Sequence, residues 1–450
     1  MTEESVPTRR RFLAGLTTVT GTAIAGCSSY PWEDDETSTA IPATEAKTIL
    51  SDPLPDVDFP VPVVPESAAV EDGLERVDEL LDDLPEPVTA DEVPNGVVRE
   101  SIVDARETAL EGSDEGTESP ETYHVLRETR DRRDAAQEAI TTFEAIEDDG
   151  VWEALEDERV DRQSTLEDRL EAADYRGEDS DDGRLRAALT WYRLEDDLES
   201  ANQGLERLPI GPNATVIELG ESAGSLEFAT ATVDVWDHLL ERYDQSRSTS
   251  DDFEPVFATT LEQSIDAADD VELPSRDTDD WYEEVAGANA DDPSVQMTLW
   301  RPLRQADNAR EGMTAAFTDD RLGIGLADTL EFEQAFRAFE TIRTRVENGE
   351  IAVPETADEI ETERNAAVSA LESATEVVGE NSIGAYLFAK DYQSLRWTDD
   401  RIDDLLSRNP DGRISLTSQY DDYVRLRARL EVLPDAVEAF RERLLEREAN

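Results

Sequence analysis

Apolar residues recur at alternating steps of three and four along three stretches, and this recurrence constrains the fold more than any other feature. Trp191, Leu194, Leu198, Ala201, Leu205 and Leu208 form one series, and Leu226, Ala229, Val233, Trp236, Leu240 and Tyr243 form a second. Tyr423, Leu426, Leu430, Leu433, Val437, Phe440 and Leu444 form a third. At 3.6 residues per turn each series lies along one face of a helix, and such a face is stable only when another element covers it. Strand signals are scarce. Only Thr215 to Leu219 has the β-branched density of a strand, and one strand cannot make a sheet. The expected fold class is therefore all-α, built as two tandem helical bundles. The third series keeps register through Pro434, which predicts a kinked helix or two helices sharing a face.

The 450 residues divide into four segments: an export signal over 1–26, a linker over 27–65, a first bundle over 66–250 and a second over 251–450. The linker holds Pro31, Pro42, Pro53, Pro55, Pro60, Pro62 and Pro65 without a sustained apolar period, which predicts a disordered, semi-rigid spacer. The alternative is that 57–64 packs as an edge on the first bundle. Ala139 to Asp148 (AITTFEAIED) resembles Ala335 to Thr344 (AFRAFETIRT) at an offset of 196, and Trp191, Leu198, Leu205 and Leu208 fall on Phe388, Leu395, Ile402 and Leu405 at 197. These echoes suggest an internal duplication.

The N-terminus carries the most specific short signals. Arg9, Arg10, Phe12 and Leu13 form the core of a twin-arginine export signature, and Ile24-Ala25-Gly26-Cys27 reads as a lipobox. The apolar run between them falls short of the roughly 20 residues of a spanning helix. Cleavage before Cys27 would free a thiol for lipid attachment, and Cys27 is the chain's single cysteine. The expected location is the extracellular face of the cytoplasmic membrane, held by lipid.

Acidic residues number 109 against 41 basic ones, a net charge of -68, and only Lys47 and Lys390 are lysines. At molar salt the screening length falls to about 3 Å, so a surface this acidic stops repelling itself. The composition resembles that of proteins from extremely halophilic archaea, and with the N-terminal signals the chain resembles their twin-arginine-exported lipoproteins. Nucleic acid is not an expected partner, because no basic patch follows Arg11.

Candidate chemistry is sparse. Gly220-Glu221-Ser222-Ala223-Gly224 matches the G-x-S-x-G of a hydrolase nucleophile elbow, between a strand-like run and a helix. Its partners fail: His238 lies sixteen residues further along the same predicted helix, roughly 24 Å away at 1.5 Å per residue, and His124 would serve from another helix. The preferred expectation is a glycine-rich helix entry capped by Ser222 or Ser225. His238 and Glu241 form an H-x-x-E pair, similar to the G-x-H-x-x-E motif of imelysin-like surface proteins, with Trp236 in the glycine position. On a heptad with Leu226 and Leu240 at a, His238 falls at f, which predicts a solvated side chain, and no metal site is assigned. Asp179 to Gly183 departs from a calcium loop at Leu189, and Gly323-Ile324-Gly325 lacks the third glycine of a dinucleotide fingerprint. Asn213-Ala214-Thr215 is a glycosylation sequon, so Asn213 is a candidate acceptor. Trp281, Tyr282 and Trp300 offer either a binding surface or packing between the bundles.

The expected function is non-catalytic, with no cofactor: a helical scaffold or interaction module for another envelope protein. The alternative is a ligand-binding lipoprotein serving a transporter. A cavity near Trp281 or Trp300 with convergent polar groups favours the alternative, and a continuous exposed apolar stripe favours the scaffold.

Overall fold

The seams predicted from spacing become buried faces of long helices. Trp191, Leu194, Leu198, Ala201 and Leu205 lie on α6 (Asp181–Leu205) and are all buried. Leu226, Ala229, Trp236 and Tyr243 are buried on α7 (Val216–Ser246), and all seven residues of the third series are buried on α14 (Thr417–Leu445). α14 is one continuous helix through Pro434.

The computed structural model describes residues 40–111, 121–148, 150–276, 281–290, 292–375 and 377–446. The remaining elements, in chain order, are β1 (Ala40–Pro42), α1 (Ala43–Ala46), α2 (Ser67–Leu81), α3 (Gly96–Leu110), α4 (Glu121–Glu144), α5 (Val151–Glu171) and β2 (Arg176–Gly177). After α6 and α7 come β3 (Asp251–Asp252), α8 (Glu254–Asp269), α9 (Trp281–Ala286), α10 (Pro293–Thr318), α11 (Leu322–Glu347), α12 (Ala357–Thr375), α13 (Ile383–Arg408) and β4 (Arg413–Ser415). In the first bundle α4 packs against α2, α3 and α7, while α5 lies on α6 and α7. In the second, α11 packs against α8, α10 and α14, and α12 and α13 complete the layer around α14. The architecture is all-α, two tandem helical bundles, and no helix among the described residues is long and apolar enough to cross a membrane.

The two halves repeat an order of elements. α4, α5, α6 and α7 begin at 121, 151, 181 and 216, and helices of similar length, α11 to α14, begin at 322, 357, 383 and 417. Each displacement exceeds 200 residues, so the echoes at 196 and 197 do not mark the register of this correspondence.

Two expectations need correction. Thr215 to Leu219 is not a strand: Thr215 is the N-cap of α7, and its hydroxyl accepts from the Glu218 amide at 3.2 Å while the Glu218 carboxylate accepts from the Thr215 amide at 2.7 Å. This reciprocal pair satisfies two orphan amides of the first turn, and the β-branched run continues as helix. The disordered spacer is the second correction. From residue 40 the segment is a strap against both bundles: β1 pairs antiparallel with β4, with Ile41 opposite Ile414. Ile41, Ala43, Ala46, Ile49 and Val63 are buried. Arg186 of α6 donates to the Pro62 carbonyl at 2.6 Å, Arg364 of α12 donates to the Asp52 carbonyl at 2.9 Å, and Phe59 packs edge-on against His124 and Tyr386.

The bundles meet where α6 lies against the start of α11. A Cβ on Gly323 would stand 2.5 Å from the Tyr192 amide nitrogen, so only glycine permits this approach. Glu195 closes the joint. Its carboxyl accepts from the Ile324 amide at 2.9 Å and lies 2.6 Å from the Tyr175 hydroxyl, which also lies 2.7 Å from the Asp320 carbonyl and accepts from the Leu322 amide. The Tyr175 hydroxyl, shared between Glu195 and the Asp320 carbonyl, ties α6 to the turn before α11. Burial pushes the Glu195 carboxyl up to about 7, against the lowering effect of the Tyr175 hydroxyl and the Ile324 amide.

Candidate functional site

Most residues singled out from the sequence turn out to be structural. Ser222 is fully buried in mid-helix and donates to the Glu218 carbonyl at 2.7 Å, and Ser225 donates likewise to Glu221, so neither caps α7. Gly220 and Gly224 are contact points with α4: a Cβ on Gly220 would collide with Thr142 Oγ1, and one on Gly224 with Asp134 Oδ1. The G-x-S-x-G string is thus a small-residue seam on a helix, without the strand and sharp turn of a nucleophile elbow.

His238 is half-buried rather than solvated, because its Nε2 accepts from the Glu66 amide, the N-cap of α2, at 3.2 Å. Arg242 holds the Glu66 carboxylate at 2.8 Å beside it. Burial lowers the His238 pKa, consistent with a neutral ring acting as acceptor. Glu241 accepts from Gln245 at 3.1 Å, and among the described residues no three His, Cys, Asp or Glu side chains gather as metal ligands. Ser180 is the N-cap of α6, accepting from the Gly183 amide at 2.9 Å, so the acidic loop serves as a helix start. Asn213 is exposed in the turn before α7. Trp281 is buried, while Trp300 lies half-buried inside α10, not in a connecting segment. Arg9, Arg10, Phe12, Leu13 and Cys27 lie outside the described residues.

Cavities open in both bundles, and one of about 540 Å³ lies between the start of α6 and the turn before α13. A larger one, about 750 Å³, lies among α2, α4, α5 and α7. Its cations are compensated: Glu227 accepts from Arg133 at 2.7 Å and from Arg76 at 3.3 Å, Asp234 accepts from Arg133 at 3.0 Å, and Glu158 takes Arg162 at 3.3 Å. Such a network is already satisfied and fixes the packing of α2 on α4 and α7.

A further cavity, about 360 Å³, lies among α10, α11, α13 and α14 beside Trp300. Its floor is closed. Arg429 donates to Asp391 at 2.7 Å, to Glu331 at 2.9 Å and to Gln334 at 2.7 Å, and Gln334 donates to Asp391 at 2.7 Å. Burial opposes the Arg429 charge, yet Asp391 and Glu331 hold its pKa above the usual value. The rim differs. Arg301 and Arg425 share a single oxygen of Asp422, at 2.8 and 2.9 Å, and burial with Arg301 and Arg429 alongside lowers the Arg425 pKa. Arg304 stacks over Trp300 at 4.9 Å, and the Lys390 ammonium lies 5.9 Å from the Tyr386 ring centre. Among the described residues neither Arg304 nor Lys390 has a carboxylate at ion-pair distance. A linear reading saw no basic patch after Arg11. The fold assembles one from three helices, and the available signals were the rarity of lysine and the turn-spaced pairs 301/304 and 425/429.

Two domain families match the chain. A Domain of unknown function (DUF8262) covers residues 68–251, and a Domain of unknown function (DUF8264) covers residues 254–442. No curated protein and no solved structure matches it.

Proposed function

We propose that this chain is a non-catalytic ligand-binding lipoprotein, exported through its twin-arginine signal and held by lipid on Cys27 at the outer face of the cytoplasmic membrane, where it delivers its ligand to a transporter. The observation that carries the reading is the polar cavity at Trp300, whose rim holds two cations, Arg304 and Lys390, with no carboxylate at ion-pair distance among the described residues. A scaffold asks instead for an exposed apolar seam. Among the described residues the exposed large apolar side chains include Val97, Leu110, Val160, Met297, Phe317 and Trp397, and no helix carries two of them at seam spacing. The seams themselves are covered within the chain.

The net charge of -68 supports work in concentrated salt, where a ligand meets only the charges it touches. A thermal-shift screen of small molecules of both charge signs, run on the whole protein in molar potassium chloride, tests the reading. A saturable rise in midpoint for at least one compound is expected; a screen without one, repeated by equilibrium dialysis, overturns it. For the anchor, Cys27→Ala is expected to leave the membrane fraction, and retention there overturns lipid attachment.

A further inference from the structure

We infer that the cavity at Trp300 binds a small organic oxyanion carrying at least two negative charges. This inference deepens the ligand-binding reading and rests on it.

The charge arrangement carries the argument. Five cations line or rim the cavity: Arg301, Arg304, Lys390, Arg425 and Arg429. Three carboxylates answer them: Glu331 and Asp391 take Arg429, and Asp422 is shared by Arg301 and Arg425. Lys390 also acts on Glu331 and on a further carboxyl, Asp328, which burial pushes up to about 7, so the ammonium is compensated in part but has no carboxylate at ion-pair distance among the described residues. The result is a local surplus of positive charge inside a molecule whose acidic residues outnumber basic ones 109 to 41. Arg304 and Lys390, the two cations without a carboxylate at ion-pair distance, stand exposed at the mouth, so an entering anion meets them without breaking an ion pair.

The identity of the residues adds to this. Lysine has been almost eliminated from the chain, and one of two survivors stands at this mouth. Arginine supplies forked donors that match a phosphate or carboxylate in bidentate fashion. The cavity volume of about 360 Å³ exceeds what a bare ion fills and lies in the range of small-ligand sites. The half-buried Trp300, with Arg304 over its face, gives the organic part of the ligand a flat apolar wall. Ser394 and Asn308 provide uncharged polar groups on the same lining.

Salt sets the valence. At molar concentration chloride competes for every exposed cation, and the far field of the acidic surface is screened within about 3 Å. A singly charged ligand gains little over chloride there. Two or more charges held at fixed spacing by Arg304, Lys390 and Arg425 do.

The test is calorimetric titration of the whole protein at fixed molar potassium chloride, with pyrophosphate as the phosphate probe and citrate as the carboxylate probe. One-to-one binding of either is expected, and the stronger of the two names the ligand chemistry. Arg304→Gln and Lys390→Gln are each expected to weaken that binding by about tenfold or more, since each removes charge-assisted hydrogen bonds. Both side chains are exposed, so the variants keep the helical circular dichroism of the parent. Arg162→Gln, in the larger cavity, is expected to bind as the parent does. Equal binding by parent and rim variants overturns the site. If neither probe binds while the thermal-shift screen finds a neutral or cationic ligand, the anion assignment fails and the ligand-binding reading stands. If nothing of either sign binds, both fail.

Discussion

Gly220 and Gly224 should respond to alanine in the opposite sense from Gly204, although all three lie in helices. At Gly220 an added Cβ would collide with Thr142 Oγ1 and stand 2.8 Å from the Glu138 carbonyl oxygen. At Gly224 it would collide with Asp134 Oδ1 and stand 2.9 Å from the Asp134 carbonyl oxygen. A side-chain oxygen can rotate away, but a helical carbonyl cannot, so α4 and α7 must separate. Alanine gains about 0.5–1 kcal/mol over glycine in a helix interior, whereas overpacking a tight contact costs about 1–3 kcal/mol. The net expectation at 220 or 224 is a loss of about 1–2 kcal/mol. At Gly204 no atom lies within 4 Å of the added Cβ, so the propensity gain of up to about 1 kcal/mol remains. Urea denaturation followed at 222 nm, in the salt that maintains the fold, converts these values to midpoint shifts. With a slope of about 3 kcal/mol per molar, the midpoint falls by about 0.5 M for the first two variants and rises by about 0.2 M for the third. A rise for Gly220→Ala comparable to that for Gly204→Ala would refute the close-approach reasoning.

Two further outcomes follow from buried charge. Asp134, Glu195, Asp328 and Asp421 are pushed up to about 7 by burial from ordinary values of 3.8 and 4.5, so the folded chain binds their protons more tightly than the unfolded one. Their contribution is full below about pH 4 and is lost as pH rises through 7, so the urea midpoint should fall between pH 5.5 and 8, with a shallower fall in Glu195→Gln. His124 and His238, held below their usual value by burial, lose stability as pH drops below 6.5 and only soften that slope; a midpoint that climbs across the window contradicts the assignment. Arg364→Met should cost about 3–5 kcal/mol, because it strands the Asp399 carboxylate and releases the Asp52 carbonyl of the strap. Adding Asp399→Leu should restore a good part of the loss in the same urea assay, and a double variant no better than the single would count against a stranded charge.

The helices were legible because burial repeats at the helical period: Trp191, Leu198 and Leu205 announce a face whichever element covers it. The strap was not, because its hold comes from pairing with β4 and from carbonyls at Asp52 and Pro62 that meet arginines far along the chain. Thr215 to Leu219 misled for a different reason. Its β-branched residues outweighed the T-x-x-E spacing of Thr215 and Glu218, which was itself a readable helix start. The cations at Trp300 lie on helices that begin at 293, 383 and 417, and a linear scan for basic runs cannot gather them. The raised pKa of Glu195 comes from burial at the joint between the bundles, so it too exists only in the folded chain.

The near absence of lysine has a practical side. Lys47 is exposed on the strap and Lys390 is exposed at the mouth of the Trp300 cavity, and no other lysine exists in the chain. Apart from the chain terminus, an amine-directed reagent therefore meets two addresses, one of which reports on the cavity. With Lys47→Arg to silence the second address, the rate of acylation at Lys390, slowed when an anion covers the ammonium, becomes a site-specific gauge of occupancy.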